Sequence, residues 1–267
     1  MIDIDKLSAS VPRSDAEYIG QDGFLHCKTC GEALELIIEV PNIGEKKVRC
    51  ICSCKAKELN AEKERTLEME KERKRKACFQ GSKFEKSRFD KSEDCELIKV
   101  GRNYVNHFRD FKEMGKGLLF YGPVGTGKSH VAACIANKLI DEGYSASMTN
   151  FATIANKLQG TFEKQEYIDS LNKHDLIIFD DLGIERKTEF MQEQVFNVID
   201  ARYRSGLPFI ITTNLTPEEL KKTTDIGNSR IYDRILERCH PVQAAGISYR
   251  RQKLKNDFKQ TEMLLKG

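Results

Sequence analysis

Eight consecutive residues, Gly122-Pro123-Val124-Gly125-Thr126-Gly127-Lys128-Ser129, have the types and spacing needed to cradle a chain of phosphates. Two glycines separated by four residues let successive backbone N–H groups curl around phosphate oxygens. A helix starting at the same point adds the favourable field of its N-terminus. Lys128 can reach the β- and γ-phosphates, and the Ser129 hydroxyl can ligate Mg2+. His130 completes the stretch expected to hold the nucleotide.

Such a loop needs a carboxylate at the end of a neighbouring strand. Leu176-Ile177-Ile178-Phe179-Asp180-Asp181 provides four apolar residues and then two acids. Asp180 is expected in the Mg2+ shell, and Asp181 is expected to polarise the attacking water. Another apolar run ends in Ile211-Thr212-Thr213-Asn214, where the Asn214 amide could orient that water or meet the γ-phosphate. A glycine-rich turn, a strand ending in Asp and an Asn before Thr216-Pro217 are each ordinary alone. Their joint order is what points to nucleotide chemistry.

A second set of residues suits a metal. Cys27-Lys28-Thr29-Cys30 is followed by Cys50, Cys52 and Cys54. Two sulfur pairs joined by a β-hairpin make a tetrahedral site, and tetrahedral sulfur selects Zn2+. Cys27, Cys30 and Cys50 are the expected ligands, with the fourth open between Cys52 and Cys54. His26 reads as a bystander, and Cys78, Cys95, Cys134 and Cys239 read as ordinary thiols. Nine cysteines, an odd number, with no signal-like N-terminus, exclude a small secreted disulfide scaffold.

The elements that would position these groups fall into three zones. Residues 1–54 are cysteine-rich, with strand-like runs at Leu34–Val40 and Lys46–Cys52 around the turn Pro41-Asn42-Ile43-Gly44. Residues 55–83 are dense in Glu, Lys and Arg and read as a charged helical linker, with Glu70–Lys74 and Glu72–Lys76 as favourable i,i+4 pairs. Its basic end, Lys71–Lys76, could touch nucleic acid, although a solvated spacer explains it more simply. Residues 84–267 alternate buried strands (Gly117–Tyr121, Ser145–Thr149, Asp175–Phe179, Pro208–Thr213) with helical patterns such as Val131, Ile135, Leu139 and Met191, Val195, Ile199, Tyr203. That alternation predicts an α/β fold, a parallel sheet covered by helices.

The 267 residues carry a formal net charge of +3, too small to name a partner. No apolar run exceeds the six residues of Val131–Ala136, far short of the ~20 that a membrane-spanning helix needs. The N-terminus, MIDIDKLSAS, has no basic segment followed by an apolar one, so a cytoplasmic protein is expected.

The order of these motifs resembles the AAA+ P-loop ATPases. Within them it is similar to the DnaC-type replicative helicase loaders and the related IstB transposition helper ATPases. The likeness is carried by GPVGTGKSH, DLIIFDDLGIE, Ala201-Arg202-Tyr203, PFIITTNL, SRIYDRIL and Gly246-Ile247-Ser248-Tyr249-Arg250, over roughly residues 84–255. The resemblance implies a P-loop NTPase core that binds ATP and Mg2+ and hydrolyses ATP, and the shorter Asp181 carboxylate predicts that hydrolysis is slow. The resemblance also implies stimulation by assembly or DNA, a homo-oligomer in the ATP state, single-stranded DNA as a ligand and a DnaB-type replicative helicase as partner. Asn214 would be the sensor amide. The arginine finger, which reaches a neighbouring subunit's nucleotide, would be Arg230 or, one turn on, Arg234.

Two departures qualify the likeness. Asp180-Asp181 stands where AAA+ proteins usually have Asp-Glu, and only 20 residues follow Ile247, too few for a full helical lid. The helix from Phe151 to Phe162 falls where loaders line a DNA path; Thr153, Asn156, Lys157 and Lys164 could meet phosphates and Phe162 could stack on a base. A zinc ribbon joined by a charged helix to a lidless core resembles phage or prophage loaders, whose N-terminal domain grips the helicase. The alternatives are an IstB-like helper that assembles on DNA and, more remotely, a small-molecule P-loop kinase.

Overall fold

The computed structural model describes residues 12, 14–160, 163–183, 189–222, 226–246 and 248–266. The chain forms two compact units, Met1–Glu70 and Lys71–Gly267.

In the first unit, strand β1 (Glu17–Ile19) pairs antiparallel with β2 (Leu25–Cys27), and β3 (Glu35–Val40) pairs antiparallel with β4 (Gly44–Arg49). Asn42 at φ 64° and Gly44 at φ 90° supply the left-handed backbone that the β3–β4 turn needs. The strand expected over Lys46–Cys52 starts earlier and stops at Arg49, because Cys52 leads directly into helix α1 (Ser53–Phe79). The division between the two units falls within that helix.

The second unit continues with two 3-10 turns (Lys83–Lys86 and Phe89–Lys91), α2 (Glu96–Asn106), α3 (Phe108–Met114) and β5 (Gly117–Tyr121). Next come α4 (Lys128–Asp141), β6 (Ala146–Thr149), α5 (Phe151–Gln159), α6 (Lys164–Asn172) and β7 (Leu176–Leu182). The chain closes with α7 (Glu189–Ser205), β8 (Phe209–Thr213), α8 (Pro217–Lys221), α9 (Ile226–Arg238), β9 (Cys239–Gln243) and α10 (Tyr249–Lys266). The five strands are parallel in the order β6-β7-β8-β5-β9.

Successive side chains of a strand point to opposite faces, so a continuous apolar run feeds two layers. Leu118, Phe120, Ile178 and Ile210 pack with Val131, Ile135 and Leu139 of α4 on one face. Leu119, Ile177, Phe179 and Ile211 pack on the other with Ile154 of α5, Val195 and Ile199 of α7, and Ile235 of α9. The sheet is thus buried on both sides, as the alternation of strands and helices predicts. Where α7 leads into β8, the buried Arg202 donates to the carbonyls of Pro208, His174 and Asp175, tying helix end to strand start.

Candidate nucleotide site and candidate metal centre

Strand β5 ends at Tyr121, and the phosphate-loop motif forms the turn between it and α4. Gly122 (φ 134°) and Gly127 (φ 94°) adopt backbone that an L side chain resists. A Cβ on Gly122 would also stand 2.6 Å from the Ala244 carbonyl. Thr126 Oγ1 donates to the Pro123 carbonyl at 2.9 Å and closes the turn. Lys128 is 5% exposed, and its ammonium donates to Gly122 O (2.7 Å), Pro123 O (2.8 Å) and Asn214 Oδ1 (2.9 Å). Lys128 and Asn214 therefore meet, because β8 lies directly beside β5.

Around this point lies a cleft of about 630 Å³ lined by Lys128, Ser129, His130, Asp181 and Asn214. Its position at the C-terminal ends of parallel strands is where open α/β sheets bind ligands. His130 Nε2 lies 2.8 Å from Ser92 Oγ, and burial holds its imidazole below the usual histidine range. Burial thus disfavours the charged form of the ring there.

Some groups at the cleft were not foreseen. Lys83, Lys86, Arg88 and Lys91 line the same cleft from the turns ahead of α2, and Tyr249 closes it from the start of α10. The Tyr249 N–H donates to the Gly125 carbonyl at 3.0 Å. The dense basic residues of 83–91 are visible in the sequence, but only the tertiary fold brings them to the loop.

Asp180 and Asp181 lie inside β7, which runs three residues beyond the expected end at Phe179. Asp180 Oδ1 accepts a hydrogen bond from Thr212 Oγ1 at 2.6 Å. Asp181 takes a left-handed φ of 58°, and its exposed side chain lines the cleft. The arginines of α9 stand apart. Arg234 pairs with Asp200 at 2.5 Å and lies over the rings of Phe196 and Tyr203. Arg230 is exposed, and neither arginine lines the cleft. On the suggested DNA path, Lys157 lies over Tyr167 and Lys164 over Phe190. Thr153 and Asn156 lie on α5, whereas Phe162, Ile184, Glu185 and Ile247 fall outside the described residues.

In the first unit, the sulfurs of Cys27, Cys30, Cys52 and Cys54 lie within 4.8 Å of one another. A tetrahedral zinc with Zn–S bonds of about 2.3 Å would set its sulfurs about 3.8 Å apart, so this donor set fits the ion. The Cys27 and Cys54 sulfurs are 3.6 Å apart and those of Cys52 and Cys54 are 3.1 Å apart. Backbone N–H groups of Cys30 and Thr29 draw the Cys27 thiol down to about 6, favouring the thiolate that binds metal.

The expected ligand Cys50 is a correction. Its N–H extends the hairpin by pairing with Leu34 O, and its thiol points to Ala33 O at 3.5 Å, so Cys52 and Cys54 both take its place in the cluster. His26 stays outside, with Nε2 at 2.9 Å from Asp22 Oδ2 and Nδ1 at 3.0 Å from Gly31 O.

The sheet order defines the class. The phosphate loop follows β5, the paired acids sit on β7, and β8 lies between them, which is the fold of an AAA+ P-loop NTPase. The chain belongs to the family of IstB-like ATP binding proteins, whose sequence pattern matches residues 55–257. It is 27% identical over 161 residues to the replicative helicase loader DnaC of Escherichia coli K12, covering 58% of this chain and 63% of that one. It is 28% identical over 172 residues to the replicative helicase loader DnaI of Bacillus subtilis 168, covering 59% of this chain and 55% of that one. The match thus spans only a little over half of either relative. A crystal structure of the DnaC helicase loader superimposes with a TM-score of 0.52 at 22% identity, over 61% of this chain and 99% of that one. No helix among the described residues is long and apolar enough to cross a membrane.

Proposed function

We propose that this protein is an ATP-hydrolysing loader of a DnaB-type replicative DNA helicase that also binds single-stranded DNA. The observation that carries the ATPase part is the convergence of Lys128, Ser129, Asp181 and Asn214 on one cleft of an AAA+ sheet. The loader part is supported by two curated relatives that bear that name. Membership of the IstB-like family favours a second reading, a transposition helper that assembles on DNA. A pull-down with a replicative helicase, with and without ATP, separates the two: no capture in either state would sink the loader reading.

Within the site, each residue has a separable role. Lys128 gives up its loop carbonyls and Asn214 to bind the β- and γ-phosphates. Ser129 and Asp180 offer the hydroxyl and carboxylate oxygens that suit Mg2+, which when bound would offset phosphate charge. Asp181 polarises the attacking water, and Asn214 orients it or touches the γ-phosphate. Asp is shorter than the usual Glu, so hydrolysis is slow until assembly or DNA improves the geometry. Arg230 is the finger we favour, since it is exposed whereas Arg234 is engaged within its own chain by Asp200. Zn2+ held by Cys27, Cys30, Cys52 and Cys54 makes residues 1–54 a helicase-binding module, 55–83 a linker and 84–267 the ATPase.

The direct test compares two variants. Lys128→Ala should weaken ATP binding about 100-fold or more, because it removes a ground-state phosphate contact. Asp181→Asn should keep ATP affinity and lower kcat about 10²–10³-fold, because it acts on the water. Equal loss of binding in both would move Asp181 into the metal shell.

A further inference from the structure

The two acids leave the sheet through a β-bulge. Phe179 pairs with Ile211 and Leu182 with Thr213, so Asp180 and Asp181 together oppose the single residue Thr212 of β8. A bulge leaves a residue without its ladder partner and bends the strand. Here the Asp181 N–H donates to the Thr212 side-chain oxygen at 2.9 Å. The same hydroxyl donates its proton to Asp180 Oδ1 at 2.6 Å. A hydroxyl has one proton to give and two lone pairs, so a single group can serve both acids at once. Thr212 is 0% exposed, which shields both bonds from competing water. The left-handed backbone of Asp181 is sparsely populated by residues other than glycine and persists only where its surroundings hold it.

We propose that Thr212 is a positioning residue for hydrolysis: its hydroxyl fixes the left-handed turn that carries the Asp181 carboxylate into the cleft and holds the Asp180 carboxylate beside it. This rests on the reading of Asp181 as the group that polarises water. The adjacent Thr213 is an internal control. It is equally buried, but its hydroxyl donates to the Leu182 carbonyl at 2.8 Å and accepts from the Leu215 N–H at 3.1 Å.

The experiment compares Thr212→Val, Thr212→Ser and Thr213→Val in the full chain. Valine keeps the shape and strand preference of threonine and removes only the hydroxyl. Displacing a reacting group by about 1 Å can cost about 10²-fold in rate, so Thr212→Val should lower kcat by roughly that factor with the KM for ATP within about threefold. Thr212→Ser should restore kcat, and Thr213→Val should leave it near the wild-type value. Wild-type kcat in Thr212→Val, or a loss in Thr212→Ser as deep as in Thr212→Val, would overturn the proposal.

Hydrogen exchange of the Asp181 amide, followed by NMR, reads the positioning without any turnover. It should be slow in the wild type and in Thr212→Ser, and about tenfold or more faster in Thr212→Val. Equal exchange in all three overturns the role of Thr212. A wild-type protein that binds ATP and never hydrolyses it would instead defeat the ATPase reading, with the exchange result still deciding the turn.

Discussion

By spacing Cys50 is the expected third ligand, ahead of Cys52 and Cys54, and local backbone overturns that order. Cys50 still pairs with Leu34 as an extension of the hairpin, whereas Cys54 lies in the first turn of α1, where the chain has reversed toward the Cys27-Cys30 knuckle. The knuckle was legible in the sequence as two thiols two residues apart. The exclusion of Cys50 was not, because it depends on where a strand gives way to a helix. Metal analysis of the purified chain should give about one zinc per molecule, retained in Cys50→Ser and lost in Cys54→Ser. Zinc lost from Cys50→Ser and kept in Cys54→Ser would reverse the assignment.

Among elements, the strands buried on both faces were the most legible. Gly117–Tyr121 is an uninterrupted apolar run bounded by turn residues, and β5 has those bounds. Strand β9 was not foreseen, because Cys239-His240-Pro241-Val242-Gln243 mixes polar residues with a proline. Among the described residues it is an edge strand pairing only with β5, which is the position where proline and polar side chains are tolerated. The pairing of β5 with β8 on its other side sets a sharper limit. A Cβ added to Gly117 would fall 1.7 Å from the Phe209 carbonyl oxygen, a backbone atom that cannot swing aside. Gly117→Ala should therefore cost about 3 kcal/mol or more of stability, read as a lowered midpoint in urea unfolding. An unchanged midpoint would mean that the two strands separate there at little cost.

At the scale of the whole molecule, the cations that line the cleft among the described residues come from the phosphate loop and from residues 83–91, and neither Arg230 nor Arg234 of the same chain is among them. Among the described residues, only α10 follows β9, and its first residue, Tyr249, reaches the loop through a backbone N–H rather than a charge. An arginine from a second copy can add its charge there, and such a residue raises turnover about 10³-fold or more in related P-loop chemistry. Arg230→Ala should accordingly remove the rise of specific ATPase activity with protein concentration while shifting ATP affinity less than about threefold. Arg230→Ala and Lys128→Ala chains, each inactive alone, should regain activity when mixed, since one keeps the pocket and the other keeps the finger. Co-assembly without recovery would falsify the trans role of Arg230. Recovery with Arg234→Ala instead would require its pairing with Asp200 to open on assembly. The class of the protein was legible in the order of its motifs, because each piece of phosphate chemistry demands its own residue type. The basic residues of 83–91 and the role of Tyr249 were not, because they reach the cleft only through long-range packing.

The hydrogen bond between Lys128 and Asn214 joins residues 86 apart in the sequence, across two strands that are neighbours in space. The elements β6, α5, α6, β7 and α7 all lie between them in the chain, and β8 sits between β5 and β7. Closing such loops has to be completed before the contacts reward it, which places the pairing late in folding. During synthesis, the anion cradle of residues 122–129 emerges long before the amide that completes it. The turn at residues 122–129 thus needs only its own short stretch of chain, whereas its bond to Asn214 needs a partner 86 residues away.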